Sequence, residues 1–389
     1  MSAPSMFVPP RRFRRGVALT LVFGGVLVTG GAVGSWGAEA RNSSRAPARS
    51  VADEAEHQAV EAAAEAMAAG KSGSAAAEEV VSRSGDRWSA VYSAREYEGV
   101  RQSLDGWYVG VGIWVRRGPG GLIEVARAQE GSPAGRSGIR IGDRIRTIDG
   151  VETGGRPVTE VVSRLRGDQQ DAEAGTPVEL GLQRGDHRWP QTLYRARLAT
   201  RSVTAERQPD GTTLIGIDSF TKGSGEEVRR AVRDARDGAG ILLDLRGNSG
   251  GLVAEAVTAA SALLDGGLVS TYDIRGEQRA LYAEQGVVDT ESPLVVLVDG
   301  GTMSAAELLT GALQDRGRAV VVGSRTFGKG SVQMPEELPD GSVAELTVGH
   351  YRTPAGRAVD GAGITPDLVA GDGAEERART VLTGLGGGS

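Results

Sequence analysis

Three short segments of this chain carry residue types that together suit acyl chemistry. Ser304 opens Ser304-Ala305-Ala306-Glu307, and Lys329 stands 25 positions later within Thr326-Phe327-Gly328-Lys329-Gly330-Ser331-Val332-Gln333. Upstream of both lies Arg246-Gly247-Asn248-Ser249-Gly250-Gly251. A serine hydroxyl becomes a nucleophile when a neighbouring base takes its proton, and a neutral lysine is one such base. That role requires burial to lower the lysine from its ordinary pKa of about 10.4 toward about 7–8. Glycine-rich turns leave backbone amides accessible to a developing oxyanion. Each segment alone has a plainer reading. Ser304-x-x-Glu307 is a valid capping box, and a lysine between glycines is ordinarily a solvated turn. The 246–251 loop resembles a phosphate loop but lacks a Walker lysine and the full dinucleotide-binding spacing.

The elements around these segments follow one order. Ile241–Leu245 is a nearly continuous apolar run, as expected of a buried parallel strand, and a helix is predicted from Val253 to Leu264. Leu294–Val298 leads through Asp299-Gly300-Gly301-Thr302 into a helix from about Met303 to Gln314, and Ala319–Val322 precedes the lysine segment. Strand–glycine loop–helix units in series give an α/β architecture with chemistry at the C-terminal ends of the strands.

Composition removes several other chemistries. The chain has 389 residues, enough for two folded domains. It has no cysteine, which excludes disulfides, cysteine nucleophiles and thiolate metal sites. The three histidines, His57, His187 and His350, are far apart and have no metal-ligand spacing. A serine–histidine–aspartate triad would have to use His350, which lies inside the apparent strand Val343–Tyr351. A net charge of −6, with no basic block after the first twenty residues, argues against nucleic acid as a partner.

Arg11, Arg12, Arg14 and Arg15 precede an uncharged run from Gly16 to Gly34. Helical, that run would span roughly 28 Å, close to the hydrocarbon thickness of a bilayer. It reads as a membrane anchor, or as a signal peptide cleaved after Ala38-Glu39-Ala40. Either way the rest of the chain is expected on the outer side of the membrane. Residues 41–75 read as a flexible or weakly helical spacer, followed by a short helical segment to Gly99. Residues 371–389 read as a flexible tail.

Residues 100–187 break into short strands and turns. Gly131-Ser132-Pro133-Ala134, then Gly138-Ile139, Gly142-Asp143-Arg144-Ile145 and Asp149-Gly150 resemble a PDZ domain of bacterial proteases. By that resemblance Tyr108-Val109-Gly110-Val111 matches the carboxylate-binding loop, so the partner would be a protein or peptide with a free C-terminal carboxylate. Without the resemblance, Gly110 and Gly112 need only permit a bulge in a packed strand. Asp168–Ala174 reads as an insertion in a turn.

Leu243-Asp244-Leu245-Arg246 with Gly250-Gly251, Ser304-x-x-Glu307 with Gln314-Asp315-x-Gly317-Arg318, and Thr326–Gln333 form a further combination. With Tyr351-Arg352-Thr353-Pro354-x-Gly356 and Gly363-Ile364-Thr365-Pro366-Asp367, it resembles the carboxyl-terminal processing peptidases, or tail-specific proteases. The resemblance runs through residues 100–370. It implies a crotonase/ClpP-like α/β core over 200–370 beside a separate β-rich PDZ domain over 100–187. The implied activity is that of a serine endopeptidase without metal or other cofactor. Ser304 matches the nucleophile, Lys329 the general base and Gln333 a residue that positions the lysine. Gly250 and Ala305 match oxyanion-hole amides, and Asp315 a structural position. The chain departs from the family at Gly301-Thr302-Met303, where serines are usual, and at Gly247 and Ser249, where asparagine and proline are common. These departures bear on substrate preference. Two other classes compete: a catalytically silent PDZ scaffold, and a crotonase-like acyl-thioester enzyme, which the PDZ module and export signal disfavour. Homo-oligomer formation stays open.

Overall fold

The computed structural model describes residues 51–386 apart from 168–172, 236–238, 275–276 and 287–288. The membrane segment expected over residues 1–40 lies outside the described residues. Among those described, no helix is long and apolar enough to cross a membrane. The described chain forms two compact units, one of residues 110–196 and one of the remainder.

The N-terminal part comprises α1 (Val51–Ala68), α2 (Gly73–Arg83), β1 (Ala90–Tyr92), α3 (Ala94–Leu104) and β2 (Trp107–Gly110). The spacer expected over residues 41–75 as flexible or weakly helical is largely helix over its described part, residues 51–75. Small side chains explain the difference. Ala59, Ala63 and Ala77 are fully buried with Val81 against Leu338, Ala344 and Leu346, so the helices gain from packing what their propensity alone would not supply.

The unit of residues 110–196 contains β3 (Ile113–Arg117), β4 (Ile123–Ala128), α4 (Pro133–Arg136), β5 (Arg144–Ile148), β6 (Val151–Glu152), α5 (Val158–Arg166), β7 (Pro177–Arg184) and β8 (His187–Tyr194). The sheet runs β3-β4-β5-β7-β8, with β6 beside β5, and its pairings are antiparallel. Val178, Leu180 and Leu182 alternate inward and are buried with Val161 and Leu165 of α5. Strand β3 pairs only with β4 among the described residues, which leaves it at the sheet edge.

The chain continues as β9 (Ala196–Ala199), β10 (Val203–Arg207), β11 (Thr213–Ile217), α6 (Ser224–Ala235), β12 (Ile241–Asp244), α7 (Val253–Ser261), β13 (Leu268–Ile274), β14 (Glu277–Tyr282), β15 (Leu294–Val298), α8 (Ala305–Asp315), β16 (Val320–Gly323), β17 (Ser331–Glu337), β18 (Val343–Arg352), β19 (Leu368–Val369) and α9 (Ala374–Gly386). The central sheet has the order β10-β11-β12-β15-β16-β19 and is parallel from β11 onward. Its inner strands β12, β15 and β16 are almost entirely apolar because both of their faces are covered, whereas the edge strand β10 is polar and mostly exposed. Leu243, Val296 and Val321 face the large cluster formed with α6, α7 and α8. Leu242, Val295, Leu297 and Val322 face the other way, onto Ala374, Ala378 and Leu382 of α9. The segment expected as a flexible tail is therefore a docked helix, whose apolar residues recur at helical spacing. A second sheet has the order β1-β18-β13-β14, with β17 also paired to β18.

Candidate active site

The loops after β12, β15 and β16 emerge side by side at the C-terminal ends of adjacent parallel strands, where α/β sheets concentrate their chemistry. Hydrogen bonds stitch them together. Asp299 Oδ1 accepts from Gly247 and Gly301 N–H, each at 2.8 Å. Thr302 Oγ1 donates to the Leu245 carbonyl at 2.9 Å, and Met303 N–H to the Asn248 carbonyl at 2.8 Å. The Phe327 N–H donates to the Thr302 carbonyl at 3.0 Å.

Ser304 stands at the N-terminus of α8 with φ 55° and ψ −118°, a backbone conformation that glycine favours. Such strain costs of order 1–3 kcal/mol and persists only where the surroundings impose it. Here they do. The Ser304 N–H donates to Glu307 Oε2 at 2.9 Å, and the Ser304 carbonyl accepts from Glu307 and Leu308 N–H and from the Tyr351 hydroxyl. Close contact forces two glycines nearby. A Cβ on Gly250 would come within 2.9 Å of Ser304 Cβ, and one on Gly251 within 2.3 Å of the Phe220 carbonyl oxygen.

Glu307 does more than the capping box required. Its fully buried carboxylate also accepts from the Thr326 hydroxyl at 2.5 Å and from the Gly328 and Lys329 N–H at 2.7 and 2.8 Å. One carboxylate thereby fixes both the Ser304 turn and the Lys329 loop. Burial raises its pKa, and the four donors pull it back down. Tyr351 repeats the linkage, since its hydroxyl donates to the carbonyls of Ser304 and Lys329 at 2.9 and 3.0 Å. Burial holds that phenol well above its ordinary pKa, so it stays a donor.

Lys329 is fully buried, and its Nζ has no hydrogen-bond partner among the described residues. The Trp88 ring covers it, with Nζ 5.4 Å from the ring centroid, and Phe327 flanks the indole at 5.5 Å. Desolvation lowers the lysine pKa, against the pull of Glu345 and Asp86. Burial thus shifts the amine toward the neutral form that a base would require, and Nζ makes no hydrogen bond to Ser304. Catalytic contacts of this kind often tighten only around substrate.

The other expected site residues fall as follows. Gln333 Nε2 donates to the hydroxyls of Ser331 and Thr347, at 2.7 and 3.2 Å; neither bond goes to Lys329. Gly250 N–H is already engaged, donating to Asn248 Oδ1 at 2.8 Å. Ala305 supplies the first N–H of α8, one of the amides a helix leaves without an internal partner. Asp315 accepts from Ala355 N–H at 2.8 Å and pairs with Arg357 in a surface turn. His350 is exposed and opposes Ser331 across the β17–β18 ladder, with Nε2 3.9 Å from Asp360 Oδ2. His187 stacks on Trp189, and His57 falls in α1. Tyr108, Val109 and Gly110 lie in β2, and Val111 is buried in the core of the 110–196 unit. Among the described residues no cluster of three or more His, Asp or Glu side chains is arranged to hold a metal.

Beside Ser304 lies a small pocket lined by Val253, Tyr272, Leu281, Leu308, Val332 and Tyr351, with no charged side chain in its walls. Trp88, Glu345 and the loop-bridging role of Glu307 escaped sequence reasoning. Trp88 and Glu345 lie 241 and 16 positions from the lysine, and no spacing rule joins them.

Comparison with known proteins agrees with this geometry. Residues 211–370 match the peptidase family S41, and residues 124–184 match the PDZ domain. A carboxyl-terminal-processing protease of Synechocystis is 34% identical over 304 residues, covering 76% of this chain and 70% of that protein. The chloroplastic carboxyl-terminal-processing peptidase 3 of Arabidopsis thaliana is 33% identical over 308 residues, covering 74% and 58%. Against the first three curated relatives, the chain spans 58%, 66% and 60% of their lengths. The solved photosystem II D1 C-terminal processing protease superposes with a TM-score of 0.50 at 28% identity, covering 80% of this chain and 86% of that one.

Proposed function

Since the chain belongs to the carboxyl-terminal-processing proteases of peptidase family S41, we propose that it is a serine endopeptidase working through Ser304 and Lys329. The observation that carries this reading is the buried Lys329 amine, set in the same hydrogen-bonded frame as a strained serine at a helix N-terminus. Ser304 Oγ attacks the scissile carbonyl carbon while its proton passes to neutral Lys329 Nζ. The ammonium then returns that proton to the leaving amine, and water hydrolyses the acyl-enzyme through the same base. Ala305 N–H is one oxyanion donor. The second is Gly251 N–H, because Gly250 N–H is engaged by Asn248 while Gly251 N–H points away from its bridge partner Phe220. Gln333 holds the Ser331 and Thr347 hydroxyls, which ties together β17 and β18 just after the lysine.

The small apolar pocket beside Ser304 suits a small apolar side chain before the scissile bond. In the PDZ domain, the β3 edge beside α5 suits an added peptide strand whose carboxylate meets the amides around Gly110. The substrates would then be proteins with accessible C-terminal tails. The arginine cluster and uncharged run before residue 35 favour a location outside the cytoplasm, at the membrane.

Incubating the full chain with an unfolded protein that ends in an apolar tail tests the assignment. Wild type should cleave, while Ser304→Ala and Lys329→Ala should not. Equal cleavage by all three would overturn it.

A further inference from the structure

A second buried polar atom without a partner lies on β18, under the same segment that covers Lys329. Glu345 sits on β18, is 1% exposed, and its Oε2 has no hydrogen-bond partner among the described residues. A buried carboxylate oxygen and a buried amine are each costly when left without a partner.

One short segment roofs both. Trp88 covers the Lys329 amine, and two residues later Ala90 pairs with Glu345 across β1 and β18. Ser89 ties the roof down between them: its hydroxyl accepts from Thr347 N–H at 3.0 Å and donates to Asp86, whose other oxygen accepts from Trp88 N–H at 2.9 Å. On the strand opposite, Pro335 of β17 faces Glu345, and Lys329 enters that same strand.

We propose that Glu345 is the charge partner of Lys329, a positioning residue that stabilises the ammonium as Ser304 gives up its proton. The idea rests on the dyad assignment above. It assigns the carboxylate the electrostatic task that the acid of a serine–histidine–aspartate triad performs for imidazolium. No proton needs to reach Glu345. Above about pH 7, where Glu345 is ionised, its carboxylate lowers the energy of the Lys329 ammonium in a site shielded from water.

Among the described residues, the other charged or ionisable groups packed around the pair include Asp86 and Arg87 before β1, Tyr92 on β1, Tyr97 on α3, Glu307 on α8 and Tyr351 further along β18. The Arg87 guanidinium lies over the same Trp88 ring, 4.6 Å from its centroid, and its fixed charge does not change with pH in this range. Asp86 acts on Lys329 in the same direction as Glu345. Tyr92 and Tyr97, held neutral by burial and by Glu345 itself, add no charge near neutral pH. Glu307 spends its oxygens on backbone and hydroxyl donors, and Tyr351 remains a neutral donor.

The test is the pH dependence of kcat/KM for wild type and Glu345→Gln in the full chain. Removing the anion weakens Lys329 as a base. The acidic limb, where the amine becomes protonated, should move to lower pH by about one unit. Glu345→Asp should hold the limb near its wild-type position. An unmoved limb in Glu345→Gln, with Ser304→Ala and Lys329→Ala both silent, overturns the charge partnership and leaves the dyad standing. Cleavage by Ser304→Ala would sink the dyad itself. If Glu345→Gln is too slow to assay, titration of the Lys329 amine by NMR in the Ser304→Ala background decides. Its midpoint should fall when Glu345→Gln is added, and an equal midpoint refutes the proposal.

Discussion

The serine side and the lysine side of this site are built on opposite principles. Around Ser304 and Glu307 the polar groups are matched: four donors converge on one carboxylate, and the strained turn is held by backbone bonds and the Tyr351 hydroxyl. On the lysine side, the Lys329 amine and the buried Glu345 Oε2 have no hydrogen-bond partner among the described residues. Matched hydrogen bonds fix position. An unmatched, dry amine has its proton affinity lowered, which a base needs and a structural lysine does not. On the proposed roles, a nucleophile must be placed and a base must be tuned, and the fold treats the two requirements separately.

If that contrast holds, substitutions on the two sides differ in kind. The largest effect on rate is expected from Lys329→Met: activity should drop about 10⁴-fold or more, yet the variant should melt at higher temperature. The sign follows from linkage. A lysine whose folded pKa is lowered binds fewer protons folded than unfolded between the two values. Wild-type stability therefore rises with pH toward about 10.4, and below that range carries a penalty that methionine removes. Differential scanning calorimetry at pH 7 and pH 10 checks both parts; a lower Tm at pH 7 would break the contrast.

Glu307→Ala should instead cost both activity and stability. It leaves three N–H groups and a hydroxyl unpaired in a buried place, for a loss of about 3–5 kcal/mol, measurable by chemical denaturation. A smaller effect is expected from Trp88→Ala, which admits water to the amine and raises its pKa. The acidic limb of kcat/KM should move up by about one unit, opposite in direction to Glu345→Gln. The smallest effect concerns stability alone. Glu345 is raised by burial to about 7, so the folded state binds the extra proton from about 4.3, the unfolded value, to about 7, and stability falls as pH rises through that window. Melts of Glu345→Gln and wild type should diverge in favour of the variant between pH 5 and pH 8.

The same contrast explains what could be read from the sequence. The strands Leu294–Val298 and Ile241–Asp244 were legible because each is a local, nearly uninterrupted apolar run. Ser304 and Lys329 stood out as candidates only in combination, since alone they read as a helix cap and a solvated turn. The fully buried parallel strands announced themselves by lacking any polar alternation. The docked helices α1 and α9 did not, because alanine-rich segments read alike whether they pack or float; only the faces they cover distinguish them. Gly250 was read as an oxyanion donor because glycine leaves its amide accessible, but the Asn248 side chain two residues away claims that amide. Trp88 and Glu345 reach the lysine only through the pairing of β1 with β18, a contact made by the finished fold rather than by neighbouring residues.

The conformation of Ser304 has a practical side. A catalytically dead form for capturing bound peptides is commonly made by serine to alanine exchange. Here alanine would keep the positive φ and its strain while losing the hydroxyl. Ser304→Gly relieves that strain of about 1–3 kcal/mol, which exceeds the roughly 0.4–1 kcal/mol that glycine's greater unfolded-state freedom costs. The glycine form is the better trap: it keeps the pocket, removes the nucleophile, and leaves a scaffold more stable than the working enzyme.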